Sequence, residues 1–480
     1  MDFETIIGLE IHVELSTASK MFCGCSTGFG GTPNSRVCPV CLGLPGSLPV
    51  PNRKAVSDSI LLGLALSCRV SPTSIFHRKN YFYPDMPKNF QVSQYDIPLS
   101  SGGFMEVEMD DYVRRVGITR VHLEEDTGKS IHVGESGRIH GSLHSMEDYN
   151  RAGIPLAEIV TEPDLRSPAE ARAFMQLLKS TLEYLDISDC RMEEGSLRCD
   201  ANISLACNGR FGTKVEIKNM NSFRALHQAL VFEEKRQRVL MEAHEQVMQE
   251  TRHWDESAGR TQALRSKEEA FDYRYFPEPD LVPVSPEPEM LLELESTLPE
   301  LPLARRRRFR DDYCLPADTA LVLAADRHVA DYFEEAARAC DQPIQTANWI
   351  TGDLAALVAD AGIPVEACRV PPSGLAGLVQ LVSRGTISGK MAKEVLREAF
   401  NTGESPQGIV ESRGLSQIDD EGELDSTVAR VISMNPEAVR DYESGKEQAL
   451  KFLMGKVMKE TRGKANPGMA AKILRKQLGR

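Results

Sequence analysis

Within the first 220 residues the chain repeatedly alternates apolar and polar side chains, a period that a half-buried β-strand satisfies and a helix does not. In GLEIHVEL (8–15), Leu9, Ile11, Val13 and Leu15 face one way and Glu10, His12 and Glu14 the other. LRCDANISL (197–205) sets Leu197, Cys199, Ala201, Ile203 and Leu205 against Arg198, Asp200, Asn202 and Ser204. KVEIK (214–218) opposes Val215 and Ile217 to Lys214, Glu216 and Lys218. ITRVHLEED (118–126) opposes Val121 and Leu123 to Arg120, His122 and Glu124. A regular strand puts Glu124 and Glu125 on opposite faces, so only one can join a site unless a bulge intervenes.

Helices punctuate this region. Ser167-Pro168-Ala169-Glu170 is a capping box with proline at the first helical position, followed by Phe174, Leu177, Leu178, Thr181 and Leu185 at helical spacing. A second helix is predicted from about Ser222 to His244. Residues 277–300 hold six prolines among acids, the composition of a linker. Beyond them 304–313, 326–340 and 346–362 read as helices. A further shift falls at 400–415, and short helices follow. Asn435-Pro436 opens one of these and Gly445 closes it. Leu450, Leu453, Val457 and Met458 stripe the next. GKANPG (463–468) then breaks to a last helix carrying Ile473, Leu474 and Leu478. At 480 residues and 41% apolar composition the chain can bury ordinary cores without staples, in two to four domains.

Charge is uneven. A net of −14 opposes bulk electrostatic coating of nucleic acid. Yet residues 446–480 hold ten Lys/Arg and two Glu, while 266–300 hold two Lys/Arg and ten Asp/Glu. A basic tail on an acidic body suits a polyanion gripped at one end, and a solvated basic face has the same composition. No run of 18 apolar residues and no basic, apolar leader occurs, so neither a membrane span nor secretion is expected. Eleven cysteines, an odd number, argue against a disulfide framework and for a reducing, cytoplasmic setting.

Cys23-Gly-Cys25, twelve residues, then Cys38-Pro-Val-Cys41 supplies two thiolates from each of two turns, as a tetrahedral structural zinc site requires. Four reduced thiols in a loop are the alternative. Cys68, Cys190, Cys199, Cys207, Cys314, Cys340 and Cys368 are scattered and read as small buried hydrophobes. The polar strand rows gather Glu10, His12, Glu124, Glu125, Glu158 and Glu216, with Lys79 and Arg198 as cations. Such rows can hold Mg2+ and phosphate oxygens, and a solvated sheet face would show the same alternation. Several nucleotide and nucleophile motifs are absent: no G-x-x-x-x-G-K-[ST], no G-x-G-x-x-G after a strand, no G-x-S-x-G and no Gly/Ser-rich amidase nucleophile. An ATP enzyme of this sequence is not a P-loop one.

The segments GLEIHVEL, VCPVCLGLPGSLPVPN, RKNYFYPDMPKNFQVSQYD, GITRVHLEEDTGK, DYNRAGIPLAEIVTEPDLRSP, MEEGSLRCDANIS, VEIKNMNSF, DYRYFPEPDL, GTISGKMAKEV and TRGKANP resemble the B subunits of bacterial aspartyl/glutamyl-tRNA(Asn/Gln) amidotransferases. The resemblance spans essentially the whole chain. It implies an α+β fold: an antiparallel-sheet catalytic cradle similar to glutamine synthetase over residues 1–295, with the zinc loop at 23–41. A helical domain (296–405) and a small basic helical tail (406–480) for the tRNA elbow follow.

The resemblance further implies a ligase of protein biosynthesis. The family binds mischarged Glu-tRNA(Gln) or Asp-tRNA(Asn), phosphorylates the side-chain carboxylate with ATP and Mg2+, and completes the amide with ammonia. An amidase partner, the A protein of the complex, makes the ammonia from glutamine, and a small C protein holds the heterotrimer together. By this resemblance Glu10, His12 and Glu125 are the metal ligands, with Glu124, Glu158 and Glu216 beside them. Lys79 and Arg198 are the phosphate contacts, and Lys218 lies at the nucleotide. Asn219 and Asn221 either line the pocket or cap a turn. Archaeal-type relatives carry an inserted domain for which this chain has no room. A non-catalytic, zinc-containing tRNA-binding protein is the other reading, and the acid rows oppose it.

Overall fold

The structure, a computed structural model, describes residues 3–133, 142–265, 273–415, 421–461, 465 and 467–479. It forms two compact units, Met1–Pro302 and Leu303–Arg480. The first carries the strands: β1 (Phe3–Glu14), β2 (Arg69–Val70), β3 (His77–Asn80), β4 (Phe90–Ser93), β5 (Ser100–Glu108), β6 (Val113–Glu125), β7 (Lys129–Val133), β8 (His144–Asp148), β9 (Pro155–Thr161), β10 (Leu197–Cys207), β11 (Val215–Lys218), β12 (Thr251–Asp255), β13 (Arg260–Arg265) and β14 (Phe276–Pro277). Nine of them form one sheet in the order β13-β12-β11-β10-β1-β9-β6-β5-β2. Its neighbours are antiparallel except β11 and β12, which run parallel. Two small sheets, β14-β3-β4 and β7-β8, accompany it. The α+β architecture and the mostly antiparallel sheet are therefore as expected.

Alternation decides which face packs. Ile7, Leu9, Ile11 and Val13 are all 1% exposed or less, and they share a core with residues of helices α1 (Arg53–Ala65), α2 (Pro168–Tyr184) and α3 (Phe223–Glu242). Phe174 and Leu178 of α2 and Leu226 and Leu230 of α3 lie in that core. The predicted caps form. Ser222 accepts from the Ala225 amide at 3.0 Å, and Ser167 from the Glu170 amide at 3.2 Å. The reciprocal half of the Ser167–Glu170 box is displaced by one residue, because the Glu170 carboxylate accepts from the Arg166 amide (2.7 Å) rather than from the cap. Glu170 also accepts from the Tyr112 hydroxyl (2.7 Å) and from Arg114 Nε (3.1 Å) and Nη2 (3.2 Å). One carboxylate thus caps α2 and pins it to β6.

The proline-rich stretch is not a free linker. Ser74 and Val284 exchange both backbone hydrogen bonds at 2.8 Å, and Met290, Leu291 and Leu294 of α4 (Pro288–Thr297) pack against the sheet's core. The first unit accordingly runs to Pro302 rather than to the 295 expected. The second unit holds two main cores. Phe309, Phe333, Leu375, Leu378 and Leu396 lie in one, with Ile409 and Val410, which fall beyond the break expected at 405. Leu424, Val428, Leu453, Val457, Ile473 and Leu474 form the other. Lys446, Lys451, Lys456, Lys459, Lys472, Arg475 and Lys476 of the basic tail are at least partly exposed. Arg462, Arg480, residues 463, 464 and 466 of the GKANPG break and residues 266–272 of the acidic stretch lie outside the described residues.

Glu170 yields a stability prediction. Burial alone would raise its pKa, but the Tyr112 hydroxyl, the Arg166 amide and the Arg114 guanidinium hold it below the ordinary carboxylate value. Glu170→Ala leaves Arg114 without its buried partner and should cost about 3 kcal/mol in urea unfolding. A depressed folded pKa means that the carboxylate's contribution is complete above the unfolded value and lost as pH falls through the folded one. The gap between wild type and Glu170→Gln should therefore close in acid; a gap independent of pH would show that the charge contributes nothing.

Candidate active site: a carboxylate and histidine row across four strands

The sheet register converts separate alternations into one row. His12 of β1 stands opposite Arg198 of β10 on one side and Glu158 of β9 on the other. Glu158 stands opposite His122 of β6. Directly opposed residues share a face, so Arg198, His12, Glu158 and His122 line up across four strands. Glu10 lies opposite Asp200 in the next row, and Glu14 and Glu124 flank Leu156 in the row on the other side.

This face is not a solvated one. His122, Glu124 and Glu158 are 2%, 3% and 5% exposed. His12 Nε2 lies 3.5 Å from Glu158 Oε2, 3.8 Å from Glu124 Oε1 and 3.9 Å from Glu10 Oε1. His122 Nε2 lies 3.3 Å from Glu158 Oε2 and 3.8 Å from Glu124 Oε2. Buried charges persist only when paired or when they ligate a cation. Ligand atoms of Glu10, His12 and Glu158 lie within 4.8 Å of one another, as do those of His122, Glu124 and Glu158. Oxygens around one Mg2+ at about 2.1 Å stand roughly 3–4.2 Å apart, so the spacing suits one divalent cation, with the glutamate oxygens as its hard donors and Glu158 shared by both groups.

The electrostatics follow from the crowding. Burial, then the charge of Glu158, raises the Glu10 pKa. Burial works against both histidines, but Glu158 and Glu124 overcome it, raising His12 and lifting His122 to about 9. Glu158 is correspondingly held well below the carboxylate range, because the two imidazoliums outweigh its desolvation. Lys79 enters from β3, its Nζ 5.1 Å from the centre of the Tyr273 ring. Desolvation opposes its charge, and Glu124 and Glu158 more than compensate, so it stays an ammonium.

Arg198 donates to Asp126 at 3.0 Å, and Arg151 lies 3.4 Å from the same carboxylate. Burial and the neighbouring Asp126 push Glu14 up to about 8. Lys218 contacts Asp200 at 2.6 Å and Glu216 at 3.5 Å, and Glu216 also accepts from the Thr251 hydroxyl at 2.8 Å. Asn219 sits at φ 64, the left-handed geometry of a strand-ending turn.

One expected ligand is elsewhere. Glu125 pairs with Lys88 Nζ, accepts from the Val92 amide at 2.8 Å, and lines a separate cavity of about 220 Å³ with Lys20, Cys41 and Arg78. The β6 irregularity falls between Ile118 and Arg120, so the strand is regular at 124–125 and the two glutamates diverge. Glu124, not Glu125, stands beside His12. The structure adds His122, Asp126, Glu14, Asp200 and Arg151, none of which the sequence reading places in the site. His122 shares the alternation of Glu124, so its signal is present in the sequence. Asp126 continues the alternation of Arg120, His122 and Glu124 in the sequence, though the strand itself ends at Glu125.

The four loop cysteines also converge, with Sγ atoms of Cys23, Cys25, Cys38 and Cys41 within 4.8 Å of one another. Cys38 and Cys41 Sγ are 3.9 Å apart, against about 3.8 Å for two sulfurs 2.3 Å from one tetrahedral zinc. Cys41 also accepts from the Cys38 amide (3.2 Å) and from Lys20 Nζ (3.8 Å), contacts that favour a thiolate. All eleven cysteines are free of disulfides.

Comparison with known proteins places the chain in a family. Residues 5–292 match the family model described as the GatB/GatE catalytic domain, and residues 331–478 match a GatB domain model. The aspartyl/glutamyl-tRNA(Asn/Gln) amidotransferase B subunit of Carboxydothermus hydrogenoformans is 53% identical over 100% of this chain and 99% of its own length. That of Moorella thermoacetica is 53% identical over 100% of both chains, and that of Brevibacillus brevis 47% identical over 99% of both. With its carboxylate and histidine row inside the first matched region and its helical unit spanning the second, the chain belongs to the GatB/GatE family.

Proposed function

We propose that the chain is the carboxylate-activating, tRNA-binding subunit of a glutamine-hydrolysing, ATP-dependent amidotransferase. It converts Glu-tRNA(Gln) or Asp-tRNA(Asn) to the amide form. The observation that carries this reading is the buried row of Glu124, Glu158, His12 and His122 with Lys79 beside it. Such a row suits a reaction between two anions, a carboxylate and the γ-phosphate of ATP.

A carboxylate is a poor acyl donor, because ammonia cannot expel oxide. Its oxygen attacks the γ-phosphorus, the bond to ADP breaks, and an acyl phosphate forms. Ammonia then adds to the carbonyl carbon, inorganic phosphate leaves, and the nitrogen gives up a proton. Mg2+ held by Glu10, Glu124 and Glu158 would supply charge neutralisation at the phosphates, with the His12 and His122 imidazoliums as further positive charge beside them. Lys79 holds a fixed ammonium against the developing charge, and preorganised charge of this kind is worth more in a dry site than in water. Arg198, tied to Asp126, and Lys218, tied to Asp200, are cations at the flanks suited to phosphate oxygens. In this reading the sheet is a cradle similar to that of glutamine synthetase, which makes the same γ-glutamyl phosphate. The four-cysteine loop holds a structural zinc with no open coordination position. The partners are the amidase and the small C protein, which complete a cytoplasmic heterotrimer, and the exposed tail lysines meet the tRNA backbone. No helix among the described residues is long and apolar enough to cross a membrane.

The test uses the chain in its complete heterotrimer with mischarged tRNA, ATP, and ammonium in place of glutamine. Glu158→Gln and Glu124→Gln should each lower tRNA-dependent ADP formation by at least about 100-fold while leaving tRNA affinity within about twofold. Full ADP formation by both variants would end the assignment of the row to phosphoryl transfer. For the loop, atomic emission should find one zinc per chain, and Cys41→Ser should lose it. A folded wild-type protein without zinc would remove the metal from this reading.

A further inference from the structure

Four tyrosines make a continuous strip that starts at the acid row and ends in solvent. Tyr81 meets Tyr273 edge to face, with centroids 6.3 Å apart. Tyr273 meets Tyr275 at 6.2 Å and 69°. Tyr275 stacks on Tyr95 at 4.3 Å and 10°. Next to the inner end, Lys79 lies against the Tyr273 ring, its Nζ 5.1 Å from the ring centre. At the outer end Tyr275 covers one face of Tyr95 and the His77 ring meets it edge-on, yet Tyr95 remains 50% exposed. Its second face is therefore open. Phe82 and Tyr83, beside Tyr81 in sequence, are 81% and 45% exposed.

The strip is held rigidly. Asn80 Nδ2 donates to the backbone carbonyls of Arg274 (2.9 Å) and Tyr273 (3.3 Å). Between the two tyrosines Arg274 takes φ 46, a left-handed conformation that an arginine adopts only where surrounding contacts impose it. Its side chain is exposed and, among the described residues, in no ion pair. Exposed tyrosine and phenylalanine faces interleaved with unpaired basic groups are how proteins hold single-stranded nucleic acid: bases stack on the rings and the cation follows the backbone. The neighbouring glutamates make this a poor place for a bare anion but leave a neutral base unaffected.

We propose that the Tyr95–Tyr275 stack is a nucleobase platform that takes the unpaired terminal adenine of the aminoacyl-tRNA, with Arg274 beside the strand's phosphate. This rests on the reaction assigned above and deepens it. The terminal nucleotide carries the amino acid as an ester, so seating its base on the outer tyrosine directs the amino acid inward along the strip toward Lys79 and the carboxylate row. ATP offers the same adenine, and the experiment separates the two sources.

The complete complex is titrated with tRNA whose terminal adenine is replaced by 2-aminopurine, whose fluorescence falls on stacking. Wild type should quench it, Tyr95→Ala should not, and Tyr95→Phe should restore the quench. In ammonium-dependent amidation Tyr95→Ala should raise the KM for mischarged tRNA roughly tenfold, the scale of one lost base–aromatic stack, with kcat and the KM for ATP within about twofold. A raised KM for ATP with normal quenching would assign the platform to ATP and overturn the proposal. Unchanged quenching and unchanged constants would overturn it as well. Should wild type bind and quench the labelled tRNA yet form no ADP, the enzymatic reading falls while the platform stands.

Discussion

The contact on which the site depends is the carboxylate of Glu158 lodged between two imidazoles, 3.5 Å from His12 and 3.3 Å from His122. Each of the three comes from a different strand, and only one register brings them level. A slip of one residue in β9 would send Glu158 to the packed face and place an apolar neighbour between the histidines. That slip is opposed by Ala157 and Ile159, both fully buried in the core on the opposite face. The apolar half of the alternation thus holds the polar half in place. Core packing and the geometry of the polar row are the same constraint seen from two sides of one sheet.

Period-two alternation is enough to find the strands and to say which residues share a face within each. It does not give the order β10-β1-β9-β6, because which strands pair, whether 36 residues apart as His122 of β6 and Glu158 of β9 are or more than a hundred as around β1, is a matter of tertiary packing. His122 illustrates the loss. It belongs visibly to the row of Arg120 and Glu124, but only the opposition to Glu158 makes it part of a cluster. Glu14 and Asp126 likewise sit in visible alternations, and only their meeting with Arg198 and Arg151 at the strand ends makes them a group; Arg151 lies in no strand pattern. The caps, by contrast, are local, and both helices begin where Ser167 and Ser222 mark them. The proline-rich stretch misleads because prolines report the lack of a backbone donor and say nothing of what the intervening leucines pack against. Met290, Leu291 and Leu294 turn a presumed linker into part of the first unit.

Glu124 and Glu125 show how a strand separates two environments with no intervening structure. Glu124 faces the histidines; Glu125 faces Lys88 and the cavity that reaches Lys20 and Cys41. Strand regularity at 124–125 makes adjacent residues report to opposite sides. The cation partners are likewise divided, with Lys79 on one side and Lys88 on the other, both delivered by the small sheet and the loop between its strands. The small sheet is therefore more than a cover over the large one. It sets an ammonium against each of two neighbouring glutamates, and any displacement of it would unbalance both charges together. Arg78, just before Lys79 in sequence, forms a bidentate pair with Glu278 at 2.7 and 2.8 Å and so ties β3 to the segment that carries Tyr273 and Tyr275. With the β14–β3 pairing and the Asn80 hydrogen bonds to Tyr273 and Arg274, that ion pair holds this segment to the small sheet that delivers Lys79 to the carboxylate row.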